Sequence, residues 1–197
     1  MEIYYLKKEE FLNSIDINSL KKFSDNREFS SEEKYLEHLC GLFLTKFIAK
    51  QVYNIKNTKI ELKNKKPYFK NNEIYFSVSH SKNIVLVGFN NANIGVDTEY
   101  MYPRNYQKIM DRYNKNIVNP TKKDFYRFWT IHEAEIKLGK PPKAMFSTNL
   151  ENDYALSCVC DDVLVSNLKI KKLKIKSQNI NLIKELQTPQ NIQLEMI

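Results

Sequence analysis

Apolar residues at helical spacing mark the first long segment of the chain. Leu36, Leu39, Phe43 and Phe47 lie three or four residues apart, so they share one face of a helix and predict a core stripe. Ser30 precedes this stripe and is followed three positions later by a glutamate, which is typical of a capping box. The pattern therefore predicts a helix that begins at Ser30 and packs on the core through this stripe.

A second amphipathic helix is predicted over residues 121–137. Thr121 is followed three positions later by an aspartate, which again suits a capping box, and Gly139 is a typical end signal. Helical periodicity places four residues on the face that we expect to be buried: Phe125, Trp129, His132 and Ile136. Glu133 then falls on the neighbouring face, and Lys137 lies one turn beyond it.

Short apolar, β-branched runs predict strands at residues 1–6, 74–78, 84–89, 94–99 and 154–160. Residues 168–176 alternate lysine with apolar residues, so their lysines either protect a sheet edge or attract an acidic partner, and we favour the edge. Residues 65–68 are predicted to form a turn fixed by a proline. The residues from 177 onward are predicted to form a helix or a loose tail.

Two acids occur at alternate positions in the predicted strand 94–99. Residues two apart in a strand face the same side, so Asp97 and Glu99 point together, with Cα atoms about 6.5 Å apart. Two carboxylates on one face repel each other unless a positive charge lies between them. Mg²⁺, which takes oxygen ligands and bridges to phosphates, is the natural candidate. Two ordinary surface acids at a solvated strand end are the alternative.

Residues 77–81 contain three serines and a histidine, and we predict that they form one short turn. Backbone N–H groups, hydroxyls and a protonated imidazole can together hold a phosphate, which makes Ser79 and His80 candidate contacts. A histidine with a purely structural hydrogen bond is the alternative. Close to paired carboxylates, such a turn indicates a site for a metal and a diphosphate.

Three motifs resemble those of the 4′-phosphopantetheinyl transferase superfamily. They are F-S-V-S-H-S at residues 76–81, I-G-V-D-T-E at 94–99 and W-T-I-H-E-A-E-I-K at 129–137, in the family's order. The third departs from the family pattern where His132 replaces a lysine. The resemblance covers residues 27–160. It is closest to the surfactin-synthetase-activating type, because the chain is long enough for two half-domains.

The resemblance implies an α+β fold of two similar half-domains, residues 1–98 and 99–197, related by a pseudo-twofold axis. Each would be a small antiparallel sheet packed with helices. It also implies Mg²⁺-dependent transfer of the 4′-phosphopantetheine arm of coenzyme A to a serine of an acyl or peptidyl carrier protein, which releases adenosine 3′,5′-bisphosphate. Such carriers serve fatty-acid biosynthesis, polyketide synthesis or peptide synthesis. By analogy we expect a monomer.

The resemblance also implies roles for individual acids. Asp97, Glu99 and Glu133 become the Mg²⁺ ligands, and Glu133 is in addition the candidate general base for the attacking serine hydroxyl. Lys137 is implied as the second catalytic residue. A plain ion pair between Glu133 and Lys137, four residues apart on the helix, is the alternative.

Coenzyme A contacts are implied for five residues: Lys46, Lys66, Ser79, His80 and Lys137. Lys46 stands where the family commonly has an arginine at the 3′-phosphate, so the charge is kept but the bidentate fork is lost. His132 is either packed in the core or a replacement phosphate contact. Charged surface positions are the alternative for Lys46 and Lys66.

Composition limits the function classes further. The 197 residues are 42% hydrophobic, which suits one or two compact domains. The formal net charge of +8 favours acidic partners such as coenzyme A, an acidic carrier protein or nucleic acid. The three cysteines predict neither a disulfide framework nor a zinc site. Without a long apolar run or a signal-peptide pattern, a cytoplasmic protein is expected.

Two alternatives to the transferase stay open. The first is a coenzyme A-binding relative that has lost or changed its activity because His132 replaces lysine. The second is a basic nucleic-acid-binding module, although the chain has no zinc-finger, RRM or KH pattern.

Overall fold

The computed structural model describes residues 1–25, 27–70, 74–113, 118–163 and 168–175, and the backbone of 192–196. The described helices are α1 Lys8–Leu12, α2 Ile17–Lys21, α3 Glu32–Gln51, α4 Tyr106–Arg112 and α5 Lys122–Leu138. The described strands are β1 Glu2–Lys7, β2 Ile60–Lys63, β3 Lys66–Phe69, β4 Tyr75–Ser81, β5 Ile84–Asn90, β6 Ile94–Tyr100, β7 Ala144–Leu150, β8 Tyr154–Cys160, β9 Lys169–Ile175 and β10 Ile192–Met196. No helix in these ranges has the length and apolar character needed to cross a membrane.

The strands form two sheets and a separate hairpin, which confirms the α+β class. The larger sheet has the order β10-β9-β1-β5-β4, the smaller has the order β6-β8-β7, and β2 pairs with β3. Pairing is antiparallel throughout, apart from the parallel pair β1 and β9. The division at residue 98 and the pseudo-twofold relation stay predictions.

Helix α3 packs on the larger sheet through the predicted stripe. Leu39 and Phe43 are fully buried, and the other two stripe residues are partly buried in the same cluster. The helix begins one residue later than predicted, because the Ser31 side chain, not that of Ser30, accepts a hydrogen bond from the Lys34 N–H. Gly41 faces β4, where it lies next to Val78.

Helix α5 has the predicted limits but buries a different face. Thr121 and Asp124 form the reciprocal capping box, and Gly139 ends the helix with φ of 78°. The buried residues are Phe125, Tyr126, Thr130, Ala134 and Leu138. Of the predicted core face, Phe125 is fully buried, and Trp129 and His132 are partly buried. The prediction is wrong for Ile136, which is 59% exposed. A face that carries small residues lets the helix approach β6 and β8 closely, and a search for large apolar residues overlooks it.

The edges of the two sheets, β4 and β6, are joined through serine side chains. Each of three alternate serines on β4 accepts a hydrogen bond from an alternate backbone N–H of β6. The pairs are Ser77 with Val96 at 3.2 Å, Ser79 with Thr98 at 3.3 Å and Ser81 with Tyr100 at 3.0 Å. We call these three residues the serine ladder. Its hydroxyls take the place of the carbonyl groups that would join two strands of one sheet.

The serine ladder corrects the prediction that residues 77–81 form a turn. They belong to β4, which pairs with β5 along its whole length. Because successive side chains of a strand face opposite sides, the serines point to β6 while Val78 points to α3. Ser79 and His80 therefore lie on opposite faces and do not form one phosphate-binding turn.

Ser77→Ala is expected to lower the free energy of unfolding by about 1–3 kcal/mol. Ser77 is 5% exposed, so its loss leaves the Val96 N–H buried without this acceptor. Urea denaturation followed by circular dichroism measures the change. Ser14→Ala, which removes an exposed serine hydroxyl, is the control and should change stability by less than about 0.5 kcal/mol. Equal effects of the two substitutions would show that the serine ladder contributes nothing to stability.

Three smaller predictions are also corrected. The turn before β3 is made by Asn64 and Lys65, both with positive φ, while Pro67 pairs with Leu62 inside the hairpin. Strand β9 is not an edge strand, because it lies between β1 and β10. The prediction for the residues from 177 onward is wrong for Ile192–Met196, which form β10, and residues 176–191 and 197 lie outside the described residues.

Candidate functional site

Asp97 is the most constrained acid of the predicted site. It lies in the middle of β6 and is 5% exposed, so it is not a surface acid at a strand end. Its Oδ1 accepts hydrogen bonds from Ser79 Oγ and from Lys137 Nζ, both at 2.8 Å. Its Oδ2 is buried without a hydrogen-bond partner among the described residues. One half of the carboxylate is thus fixed, and the other half keeps a buried oxygen that could accept a donor or bind a cation.

Glu99 faces β4 beside Asp97. Its Oε2 accepts a hydrogen bond from Ser81 Oγ at 2.9 Å. Burial raises the pKa of Glu99 above its ordinary value, and the nearby Asp97 charge adds to this, while the Ser81 hydrogen bond opposes it. Two neighbouring carboxylates, one with a raised pKa and one with an unpartnered oxygen, form an all-oxygen donor set that suits a hard cation.

Lys137 reaches this pair from α5. The helix runs opposite to β6, because Asn93 donates to the Leu138 carbonyl at one end while Thr130 contacts Ser157, the β8 partner of Asp97, further along. Lys137 Nζ also donates to the Val96 carbonyl at 3.0 Å. Its side chain is 31% exposed, so the ammonium group lies between the buried carboxylate and solvent.

Glu133 lies one turn before Lys137 and is partly exposed. It has no hydrogen bond or ion pair with another described residue, so the alternative of a Glu133–Lys137 pair is not formed, and Lys137 pairs with Asp97. Within the described ranges, no three or more His, Cys, Asp or Glu side chains form a cluster that could hold a metal. The structure therefore brings Asp97, Glu99 and Lys137 together but does not join Glu133 to them.

His80 lies on the α3 side of β4. Its Nδ1 is 3.4 Å from Glu37 Oε2, and Glu37 Oε1 accepts a hydrogen bond from Lys8 Nζ at 2.8 Å. Partial burial lowers the pKa of His80 below its ordinary value, while the Glu37 carboxylate acts in the opposite direction. The His80 side chain is 51% exposed, so the imidazole is accessible to a ligand at this edge.

The Lys66 ammonium group makes three hydrogen bonds near the C-terminal end of α5. Its Nζ donates to the Ile94 carbonyl at 2.7 Å, to the Lys137 carbonyl at 3.0 Å and to Asn93 Oδ1. Burial lowers the pKa of Lys66 to about 8, and repulsion from Lys140 adds to the shift. An ammonium group has three hydrogens, so these contacts use all of them. A phosphate contact by Lys66 would require the loss of one of these bonds.

Lys66→Met is expected to lower the free energy of unfolding by about 2–3 kcal/mol, because three acceptors lose a charged donor. Chemical denaturation measures the change, and Lys63→Met, at an exposed position of the same hairpin, is the control. If Lys66 acts mainly on a phosphate ligand, Lys66→Met will instead keep wild-type stability and lose affinity for coenzyme A.

Lys46 lies apart from these carboxylates. Its Nζ donates to the Phe23 carbonyl at 3.4 Å and lies 5.9 Å from the centre of the Phe23 ring. Burial lowers the pKa of Lys46 below its ordinary value. The lysine thus contacts the connection between α2 and α3, and it has no contact with Asp97 or Glu99 among the described residues.

His132 packs in an aromatic cluster. Its ring centre is 4.9 Å from that of Tyr113, 5.9 Å from that of Phe128 and 6.2 Å from that of Trp129. These contacts favour the packing interpretation of His132 over a phosphate contact.

Sequence reasoning missed two residues of this region. Ser81 holds Glu99, and Glu37 links His80 to Lys8. The signal for Ser81 was present, since alternate serines on one strand match alternate acids on the next. Glu37 gave no local signal, because its contact with His80 depends on how α3 lies on the sheet.

Comparisons with known proteins bear on the function of this site. No protein-family model matches the chain. Among curated proteins, it is similar to "4′-phosphopantetheinyl transferase gsp" of Aneurinibacillus migulanus, with 25% identity over 204 aligned residues that cover 84% of this chain and 85% of that protein.

Proposed function

We propose that this chain transfers the 4′-phosphopantetheine group of coenzyme A to a serine of an acyl or peptidyl carrier protein, with Mg²⁺, and releases adenosine 3′,5′-bisphosphate. The observation that carries the proposal is the buried Asp97, whose Oδ1 is held by Ser79 and Lys137 and whose Oδ2 has no partner among the described residues. The similarity to a 4′-phosphopantetheinyl transferase over most of the chain supports the same activity.

Asp97 and Glu99 supply the oxygen donors for the metal ion, and the unpartnered Asp97 Oδ2 fits this role. Glu133 is proposed as the third ligand from its place on α5, one turn before Lys137. When bound, Mg²⁺ neutralises charge on the diphosphate of coenzyme A.

Lys137 and Glu133 are proposed to act on the reacting groups. The partly exposed Lys137 ammonium can keep its bond to Asp97 and still donate to a diphosphate oxygen, a charge-assisted contact. Glu133 takes the proton of the carrier serine as its oxygen bonds to the phosphorus that bears the pantetheine arm. The bond from that phosphorus to the leaving adenosine 3′,5′-bisphosphate breaks in the same reaction.

His80 and Lys46 are proposed as further contacts to coenzyme A. The exposed His80 imidazole suits a phosphate oxygen beside β4. Lys46 is assigned to the 3′-phosphate, so Lys46→Ala should raise the Kd of coenzyme A more than that of dephospho-coenzyme A, as measured by calorimetry. Equal losses for the two ligands would reject this assignment.

The test is the mass of purified apo-acyl and apo-peptidyl carrier proteins after incubation with this chain, coenzyme A and Mg²⁺. The expected result is the gain of one phosphopantetheine group, which disappears when Mg²⁺ is chelated. Coenzyme A binding without any transfer would favour a relative that has lost its activity, and His132→Lys would then be tested for rescue. Without coenzyme A binding the proposal fails, and steeply salt-dependent binding to nucleic acid would support the basic module.

A further inference from the structure

We infer that Ser79 and Ser81 are positioning residues that orient the Asp97 and Glu99 carboxylates for metal binding. The inference rests on the proposed function, because it concerns the same acids. It changes the role expected of Ser79 from a phosphate contact to a residue that acts through Asp97.

Ser79 is held from both sides. Its Oγ accepts the hydrogen bond of the Thr98 N–H at 3.3 Å and donates to Asp97 Oδ1 at 2.8 Å. A serine hydroxyl has one hydrogen, and the bond to Asp97 uses it. Ser79 is 5% exposed, so its hydroxyl has no hydrogen left for a phosphate while this arrangement holds.

Ser81 repeats the arrangement one step along the same two strands. Its Oγ accepts from the Tyr100 N–H at 3.0 Å and donates to Glu99 Oε2 at 2.9 Å. Two serines two residues apart on β4 thus hold two acids two residues apart on β6. Each hydroxyl is fixed by the backbone of the strand whose carboxylate it orients.

Ser77 makes the backbone hydrogen bond of the serine ladder but has no carboxylate to orient. It accepts from the Val96 N–H at 3.2 Å, as the other two serines do from their own partners. The residue before Val96 is Gly95, which has no side chain. Ser77 therefore has no carboxylate at the position that corresponds to Asp97 for Ser79 and to Glu99 for Ser81. Ser77 therefore joins the sheets without orienting an acid, which makes it a matched control.

Orientation matters because a carboxylate that binds a cation through one oxygen must hold a defined rotamer. Asp97 Oδ1 is held by Ser79 together with Lys137, which leaves Oδ2 as the free donor. Hydrogen-bond partners that orient metal ligands typically change metal affinity by about 10- to 100-fold when they are removed. We expect losses in this range for both serines.

The experiment measures the Kd of Mn²⁺ for the full chain, with and without coenzyme A, from the electron paramagnetic resonance signal of free Mn²⁺. Ser77→Ala is expected to bind Mn²⁺ as the wild type does, although it is less stable. Ser79→Ala and Ser81→Ala are each expected to raise the Kd by about 10-fold or more. Ser81→Thr, which keeps the hydroxyl at a partly exposed position, is expected to bind Mn²⁺ with the wild-type Kd. Circular dichroism establishes whether each variant is folded. If Ser79→Ala does not fold, the Mn²⁺ affinity of Ser81→Ala alone tests the inference.

The results separate this inference from the proposed function. The inference is overturned if the wild type binds no Mn²⁺, or if Ser79→Ala and Ser81→Ala bind it as Ser77→Ala does. If the wild type modifies a carrier while Ser79→Ala and Ser81→Ala bind Mn²⁺ as Ser77→Ala does, the proposed function is kept and the inference is rejected. The expected Mn²⁺ pattern in a chain that modifies neither carrier would support the inference and reject the function.

Discussion

Asp97→Asn is expected to lower kcat/KM for carrier modification by at least about 100-fold in a chain that still folds. A bound metal ion typically contributes several kcal/mol to the stabilisation of charge in a transition state, and 1.36 kcal/mol corresponds to about tenfold in rate. Asparagine keeps the shape of Asp97 and can still accept from Ser79. It removes the negative charge from a carboxylate whose buried oxygen has no hydrogen-bond partner among the described residues.

Asparagine is preferred to alanine because of where Asp97 lies. Alanine would leave Lys137 and Ser79 without their acceptor in a buried part of β6, so loss of activity and loss of folding would be confounded. Asp97→Asn should reduce stability only modestly, since the Lys137 ammonium is partly exposed and can be solvated. Mass spectrometry of the carrier over time gives the rate, and thermal unfolding gives the stability.

Asp161→Asn is the matched control for this prediction. Asp161 also pairs with lysines, Lys140 and Lys143, but it follows β8 and takes no part in the proposed site. The control is expected to keep its activity within about twofold, as surface ion pairs contribute little. Retained activity in Asp97→Asn, or an equal loss in Asp161→Asn, would remove Asp97 from the proposed metal ligands.

Local signals in the sequence predicted the elements better than their assembly. The capping box of Thr121 and Asp124 and the end at Gly139 depend on residues within one turn, and the structure has all three. By contrast, β9 pairs in parallel with β1 although almost the whole chain separates them. Periodicity shows that a segment is a strand, but it does not show which strand lies beside it.

The same distinction holds within the candidate site. The alternation of Asp97 and Glu99 places both on one face, and both accept hydrogen bonds from β4. The pairing of Lys137 with Asp97 instead of Glu133 depends on the direction of α5 over β6, which no local pattern shows. Polar residues at alternate positions of β4 resemble a turn in the sequence, whereas in the structure these serines join two sheets.

Gly95→Ala is expected to lower the free energy of unfolding by about 3 kcal/mol or more and to abolish carrier modification. A Cβ atom at this position would lie 2.0 Å from the Ala134 carbonyl oxygen and 2.8 Å from the Leu138 nitrogen. These are backbone atoms of α5, so no side-chain rotation can relieve the overlap and the helix has to move away from β6. Overpacking of this kind commonly costs about 1–3 kcal/mol and occasionally more, and contact with backbone atoms belongs to the upper end.

Two other glycines provide the comparison. A Cβ on Gly88 would come within 2.5 Å of Val96 Cγ1, a side-chain atom, so Gly88→Ala should cost less, about 1–2 kcal/mol. Gly41→Ala, whose Cβ would be 3.3 Å from Val78 Cγ1, also gains helix propensity inside α3 and should be near neutral. Urea denaturation gives all three values. If Gly95→Ala costs no more than Gly88→Ala, α5 does not lie in backbone contact with β6.

Gly95→Ala is expected to abolish activity because α5 carries two residues of the proposed site, Glu133 and Lys137. Lys137 bonds Asp97 Oδ1 and the Val96 carbonyl from the part of α5 whose backbone, at Ala134, packs directly on Gly95. A displaced α5 would withdraw Lys137 and also Glu133, the proposed base and third metal ligand, while two of the three proposed ligands, Asp97 and Glu99, stay on β6. At a temperature where the variant is still folded, Mn²⁺ affinity should therefore fall less than the rate of transfer. An equal fall in both would mean that the two strand acids depend on α5 as much as the reaction does.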